Sequence, residues 1–312
     1  MKTKSKKQIY SNYLNLMGIS FLLIVNMSCK AQKDLNKAII ADGAQLTLVA
    51  DGFEFTEGPA ANKNGDVYFT DQPNDRILKW NASDNTVSDY MKPSGRSNGL
   101  YFDNQGNLLA VADEKNEIWS IDADKKVTVL LANFEGKKFN GPNDLWVDAK
   151  GGIYFTDPYY QRTWWQHQEP PQASKRVYYL APNTKIPTIV ADDNFNQPNG
   201  IIGTPDCKTL YVADESGKKT YSYTIGKNGQ LSNKKLFANM GSDGMTIDNL
   251  GNVYLTGKGV TVFNKKGEQI AHIAVPKDWT ANVTFGGPKQ TTLFITALDS
   301  VYTLAMAVHG VR

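Results

Sequence analysis

The 312 residues are enough to bury a large core, in one sizeable β or α/β domain or in two smaller ones. Charge is close to balanced at 34 Lys+Arg against 31 Asp+Glu. It becomes 30 against 31 once residues 1–28, which hold four lysines and no acid, are set aside. Net charge therefore gives nucleic-acid binding no support.

Residues 1–29 read as a secretion signal: Lys2, Lys4, Lys6 and Lys7, an apolar stretch from Leu14 to Val25, then Met27, Ser28 and Cys29. That stretch is too short to span a membrane comfortably. Ser28 ahead of Cys29, with Lys30-Ala31-Gln32 after it, resembles a bacterial lipoprotein processing site, although Asn26 stands where an aliphatic residue is usual. The expected location is the periplasm, or the membrane surface through a lipidated Cys29. Cys207 then has no disulfide partner in the chain and is read as a turn residue in Thr204-Pro205-Asp206-Cys207. A linker is expected over residues 30–44, polar to about Lys37, and a single folded unit over 45–312.

From there the sequence is strand-like, with turns rich in Gly, Asn and Asp. Six strands share one pattern, apolar and ending on a small or acidic residue. They end at Asp71, Asp113, Asp157, Asp214, Gly257 and Ala297, at intervals of 42, 44, 57, 43 and 40 residues. A period in the low forties built from short strands is that of a β-propeller with one four-stranded sheet per repeat, so the fold class is all-β, a six-bladed propeller. A sandwich with coincidental turns would not keep this spacing. Gln45 to Val49 precedes the first repeat and Val301 to Met306 follows the last, and these two segments are the expected partners that close the ring. The long interval contains Pro158 to Pro171, dense in aromatics and proline and without strand periodicity, hence an inserted loop.

Each repeat opens on a polar residue at a fixed register. Glu57, Asn98, Asn143, Asn199, Asp243 and Asn282 precede the strand ends by 14, 15, 14, 15, 14 and 15 residues. Rotation about a propeller axis places such positions at similar height around the central channel. Five of the six are followed by Gly58, Gly99, Asp144, Gly200 or Gly244, read as a tight bend that aims the preceding side chain at the axis. Two carboxylates and several amide oxygens, without Cys or His, form an oxygen-donor site for a hard cation at the channel. Ca²⁺ is expected first, with Mg²⁺, Mn²⁺ or Zn²⁺ as alternatives. Turn preference alone accounts for Asn98 and Asn282, but not for Glu57.

Glu57-Gly58-Pro59, Gly141-Pro142-Asn143-Asp144, Pro198-Asn199-Gly200 and Ser242-Asp243-Gly244-Met245, with Tyr154 to Pro158 behind the second, resemble the senescence marker protein, gluconolactonase and luciferin-regenerating enzyme family over about residues 45 to 300. The resemblance implies one divalent metal, usually Ca²⁺, at the channel mouth and hydrolysis of sugar lactones. Glu57, Asn199 and Asp243 match the family's direct ligands, and Asn143 matches a position that ligates the metal or contacts substrate. Vertebrate members carry an arginine shortly before that Asn. Here Gly141-Pro142 stands in its place, so a lactone is implied more firmly than gluconolactone itself.

Metal-assisted lactone opening needs a proton acceptor for the attacking water, and Asp243 is the expected base. Asn98, Asn143, Trp164 and His167 are the expected substrate contacts, the last two if the inserted loop folds over the ring, where Tyr159 and Trp165 would join them. His272 and His309 lie away from the ring positions and are read as structural. The alternatives are an ester or phosphoester hydrolase on the same ring, and a non-catalytic ligand-binding propeller with a structural metal. The expected partner is a small molecule; nothing in the sequence points to a protein partner.

Overall fold

The computed structural model describes residues 39–311. The signal segment and Cys29, with its expected lipidation, lie outside the described residues. After β1 (Thr47–Asp51), the first blade holds β2 (Thr56–Ala61), β3 (Val67–Asp71), β4 (Arg76–Asn81) and β5 (Thr86–Met91). The second holds β6 (Ser97–Phe102), β7 (Leu108–Ala112), β8 (Glu117–Ile121) and β9 (Val127–Leu131), and the third β10 (Leu145–Val147), β11 (Ile153–Asp157), β12 (Arg176–Leu180) and β13 (Thr188–Ala191). The fourth holds β14 (Pro198–Gly203), β15 (Thr209–Asp214), β16 (Lys219–Ile225) and β17 (Leu231–Ala238), and the fifth β18 (Met245–Ile247), β19 (Val253–Gly257), β20 (Gly259–Phe263) and β21 (Gln269–Ile273). The sixth holds β22 (Asn282–Gly286), β23 (Thr292–Ala297) and β24 (Ser300–Ala305), and β1 supplies its outer strand.

That closure pairs Thr47 with Thr303 and Asp51 with Ser300, antiparallel, between the two segments the sequence singled out. It covers the edge that β24 would otherwise expose. The stretch expected as a linker up to residue 44 is packed chain from Ile39 onward. Ile39 is buried, Ile40 bridges Met306, and Ala41 N–H donates to the Ala305 carbonyl at 3.1 Å. These apolar residues bury surface against the last blade, which a free linker would leave in water.

The period comes from one turn used repeatedly. Between the first and second strands of four blades, Asn62, Asp103, Asp148 or Asp248 accepts two backbone N–H groups ahead of it through one side-chain oxygen. A glycine with positive φ, such as Gly65 at 90° or Gly151 at 88°, completes the turn. The fourth blade substitutes Thr204 to Cys207, with Cys207 itself at φ 52°, so that cysteine is a turn residue.

The innermost strands β2, β6, β10, β14, β18 and β22 are mutual neighbours around a closed ring. The second strands behind them, β7, β11, β19 and most of β3, β15 and β23, are buried along their length. Aromatic side chains fill the wedges between blades. Phe155 on β11 stacks on Tyr178 at 5.2 Å and meets Phe139 edge-on at 5.4 Å, and all three are fully buried. Phe155→Ala is expected to cost about 3–5 kcal/mol, measured as a lower urea midpoint at unchanged slope.

Candidate functional site

Two side-chain devices hold the ring backbone in place. Threonines one position before a strand end clamp the inner strands. Thr70 Oγ1 donates to the Asn98 carbonyl at 3.1 Å, Thr156 Oγ1 accepts from Asp144 N–H at 3.2 Å, Thr256 Oγ1 from Gly244 N–H at 2.9 Å, and Thr296 Oγ1 from Asn282 N–H at 3.0 Å. Acids at the strand ends then receive the chain that leads into the ring. Asp71 accepts Glu54 and Phe55 N–H, Asp157 accepts Asn140 and Gly141 N–H, and Asp214 accepts Asn196 and Gln197 N–H. Each pair lies two or three residues ahead of a ring residue, so these repeated acids position the ring and do not belong to it. Burial pushes the Asp157 carboxyl up to about 7, against the two N–H bonds that lower it.

Five of the six ring side chains are buried and Asp243 is partly exposed; all lie at the first or second position of an inner strand or up to two residues ahead of one. A register shift follows directly at Glu57, and shifts span Asn98 and Asn199, which turns these residues out of the regular ladder. Around the ring, Asn282 Nδ2 donates to Glu57 Oε2 at 3.1 Å, as does Gly58 N–H at 2.6 Å. Asn199 Nδ2 donates to Asp243 Oδ1 at 2.8 Å, and Trp279 Nε1 to Asp243 Oδ2 at 2.7 Å. The Asn98 and Asn199 side-chain oxygens are buried without a partner.

Electrostatics mark the ring as short of positive charge. Burial pushes the Glu57 carboxyl well above its ordinary range, and the neighbouring charges of Asp243 and Asp144 push it further. Burial also raises Asp243, against the hydrogen bonds from Trp279 and Asn199. Asp144 is a further buried carboxylate near the ring, raised to about 7 by burial first and by Asp243 among its neighbours. By sequence Asp144 reads as a turn residue. The available signal was that Asp144 alone among the five bears a charge where the others are glycine.

Those glycines have a different role from the expected bend. Only Gly58 has a positive φ, 47°. A Cβ on Gly99 would lie 2.5 Å from the Asn143 carbonyl oxygen, and one on Gly244 would lie 1.9 Å from Asn282 Cγ. Glycine follows the ring residue because the next blade's inner strand passes there too closely for any side chain. This close approach brings neighbouring ring residues into contact.

The donor set fits a hard divalent cation: two carboxylates, buried amide oxygens without partners, and an excess of negative charge. Among the described residues, no three His, Cys, Asp or Glu side chains form a ready-made metal cluster. A cation here would therefore depend on the amide oxygens of Asn143 and Asn199 beside Glu57 and Asp243.

The inserted loop folds over the ring face. Tyr160 is the residue that reaches the ring, its hydroxyl 3.1 Å from Asn199 Nδ2. Trp164 packs against Arg96, two residues before Asn98, with the guanidinium carbon 4.6 Å from the ring centroid. His167 stacks on Trp165 at 4.8 Å and, among the described residues, makes no side-chain hydrogen bond to the ring. Trp165 donates from Nε1 to the Asp113 carbonyl at 2.7 Å and occupies the space a Cβ on Gly141 would need. Asn98 and Asn143 are buried in the ring, while Trp164 packs on Arg96 beside it.

The loop is anchored by Arg162, whose Nε donates to Asp113 Oδ2 at 2.8 Å, beside Gln72 Nε2 at 3.0 Å. Burial pushes the Asp113 carboxyl up to about 6, and Arg162 opposes the rise. A raised folded-state value means that Asp113 favours the fold fully below its unfolded value of about 3.9, and that this is lost as pH rises through about 6. Without Arg162 the value climbs further. Arg162→Ala is thus expected to cost about 3–5 kcal/mol at pH 8 and less at pH 5, measured by denaturation at both pH values.

Comparisons with known proteins agree with the propeller fold. Residues 55–299 match the family described as SMP-30/Gluconolactonase/LRE-like region. The chain is 29% identical to the gluconolactonase of Zymomonas mobilis, over 88% of this chain and 84% of that one. It is 27% identical to the diisopropyl-fluorophosphatase of Loligo vulgaris, over 80% of this chain and 88% of that one. The solved structure of a gluconolactonase from Xanthomonas campestris superposes with a TM-score of 0.80 at 29% identity, over 86% of this chain and 91% of that one. Six blades closed by β1, a ring with one polar residue from each blade, and a family match over most of the propeller lead to one assignment: the chain belongs to the SMP-30/gluconolactonase/LRE-like family.

Proposed function

We propose that the protein is an exported lactone hydrolase that works with one divalent cation, calcium first, held at the channel mouth by Glu57, Asn143, Asn199 and Asp243. The observation that carries this reading is the ring itself, which brings together the buried carboxylate of Glu57, the partly exposed one of Asp243 and the buried, unpartnered amide oxygens of Asn98 and Asn199. The likeness to two gluconolactonases supports the lactone as substrate. A bound cation supplies polarisation of the lactone carbonyl and stabilisation of the oxyanion.

The chain's own residues do the rest. Asn199 and Trp279 fix the two oxygens of Asp243, which takes a proton from the attacking water. Asn98 and Asn143, with free amide groups in the channel, orient the lactone through its hydroxyls. Tyr160 and Trp164 close one side of the site and exclude water. Water adds to the acyl carbon, the ring C–O bond breaks, and the released alkoxide regains a proton to give the hydroxy acid.

The test is turnover of glucono-1,5-lactone, followed as acid release, in chelated and calcium-loaded protein. Hydrolysis that requires calcium is expected, and a fully loaded protein that opens no lactone would sink the reading. The likeness to a fluorophosphatase favours a phosphoester or fluorophosphate as the second substrate class on the same ring. It would take first place if such a compound, and no lactone, were turned over. Export with Cys29 as a lipid anchor is the accompanying proposal. Cys29→Ala is expected to release the protein from the membrane fraction, and unchanged membrane association would reject the anchor.

A further inference from the structure

The rim of the ring face holds two guanidinium groups with unused donors. Arg96 and Arg162 flank Trp164, at 4.6 and 5.7 Å from its ring centroid, and Arg162 also lies 5.7 Å from the ring of Tyr160. Arg96 donates through Nη1 to the Pro73 carbonyl at 2.7 Å, while its Nε is buried without a partner. It forms no ion pair among the described residues. Arg162 commits only Nε, to Asp113. Trp164 Nε1, between them, is also buried without a partner. Arg96 and Trp164 thus each bury an N–H with no acceptor, and Arg162 beside them leaves its Nη groups without a protein acceptor among the described residues. Buried donors left in this state are costly, and like charges on one indole repel. A single oxyanion relieves both costs. The patch adjoins the ring through Tyr160 and through Asn98, two residues from Arg96.

We propose that Arg96, Arg162 and Trp164 form a subsite for an oxyanion carried by the substrate, a carboxylate or a phosphate, so that the preferred lactones are anionic. This rests on the lactone-hydrolase reading and adds the substrate class. An anionic substituent on the sugar lactone is held at the rim while its carbonyl lies over the ring, which matches the side-by-side placement of the two groups. Guanidinium is suited to bind either anion in a forked, two-point contact.

The experiment compares kcat/KM for neutral glucono-1,5-lactone, a glucarolactone and 6-phosphogluconolactone, in wild type and Arg96→Gln. The wild type is expected to favour one of the anionic lactones over the neutral one by about tenfold or more, and Arg96→Gln to lower that ratio about 10–100-fold. The larger ratio distinguishes carboxylate from phosphate. General damage to the fold would lower all rates together and leave the ratio unchanged. A wild-type ratio near unity, or one that survives Arg96→Gln, overturns the subsite while leaving the lactonase reading intact. If no lactone is opened, the lactonase reading fails by itself and the subsite is judged by calorimetric titration with glucose 6-phosphate against glucose. Phosphate-dependent binding that Arg96→Gln abolishes supports the subsite, and binding without that dependence rejects it.

Discussion

Glu57→Gln is expected to stabilise the chelated protein by about 1–3 kcal/mol while lowering lactone turnover about 10²–10³-fold. The two effects have one origin. Glu57 is wholly buried beside Asp243 and Asp144, so without a cation it adds a like charge to a site that has no positive partner. Glutamine keeps an oxygen to accept Gly58 N–H and Asn282 Nδ2, the two bonds that hold the native side chain. Its amide donates to Asp243 where a carboxylate would repel. The variant therefore loses a charge without leaving a buried group unsatisfied, and the charge lost is one the cation needs. Thermal melts in chelator and turnover in calcium check both halves. An active variant, or one less stable than wild type in chelator, would contradict the placement of Glu57. Sites of this kind commonly give up stability for function.

Gly58→Ala is expected to destabilise the protein by about 3 kcal/mol or more and to abolish turnover in whatever fraction stays folded. A Cβ at residue 58 would lie 2.0 Å from the Asn98 carbonyl oxygen and 2.8 Å from Gly99 Cα, and its φ of 47° already disfavours an L side chain. The clash is with backbone, so no rotamer change relieves it. Two neighbouring inner strands must move apart, and Glu57 and Asn98 separate with them. Gly244→Ala meets a side chain instead, that of Asn282, which has room only by leaving Glu57. It is expected to cost less stability than Gly58→Ala and as much activity. Denaturation midpoints and turnover of the two variants, measured together, check this ordering.

Much of the architecture was legible because a propeller writes the same physical requirement six times. The turn Asx residue, the threonine clamp and the terminal acid each recur with the blade, so spacing alone gave the blade count and the closing strand β1. The ring was legible for the same reason, since equal offsets within a rotationally repeated unit mean equal height. Departures from the repeat were not. Asp144 sits where four of its five counterparts are glycine, and in a pattern of sameness it reads as a turn. The glycines themselves were assigned to a bend because local sequence shows φ preferences but not the approach of a neighbouring blade. Equally, the sequence of the inserted loop holds Tyr160, Arg162 and Trp164 but not the face they cover. That depends on Arg162 finding Asp113 and Trp165 filling the space above Gly141, contacts across 49 and 24 residues of chain. Arg96 escaped notice because its repeat counterparts carry no charge.

The central claim is that the six-residue ring is one oxygen-donor site for a divalent cation. Calorimetric titration of calcium into chelated protein tests it most directly. Binding of a single equivalent is predicted, with a fold stabilised by about 2.7 kcal/mol at a hundredfold excess over Kd, and both effects are lost in Glu57→Gln. A chelated wild type that takes up no calcium, and melts at the same temperature with and without it, would contradict the account.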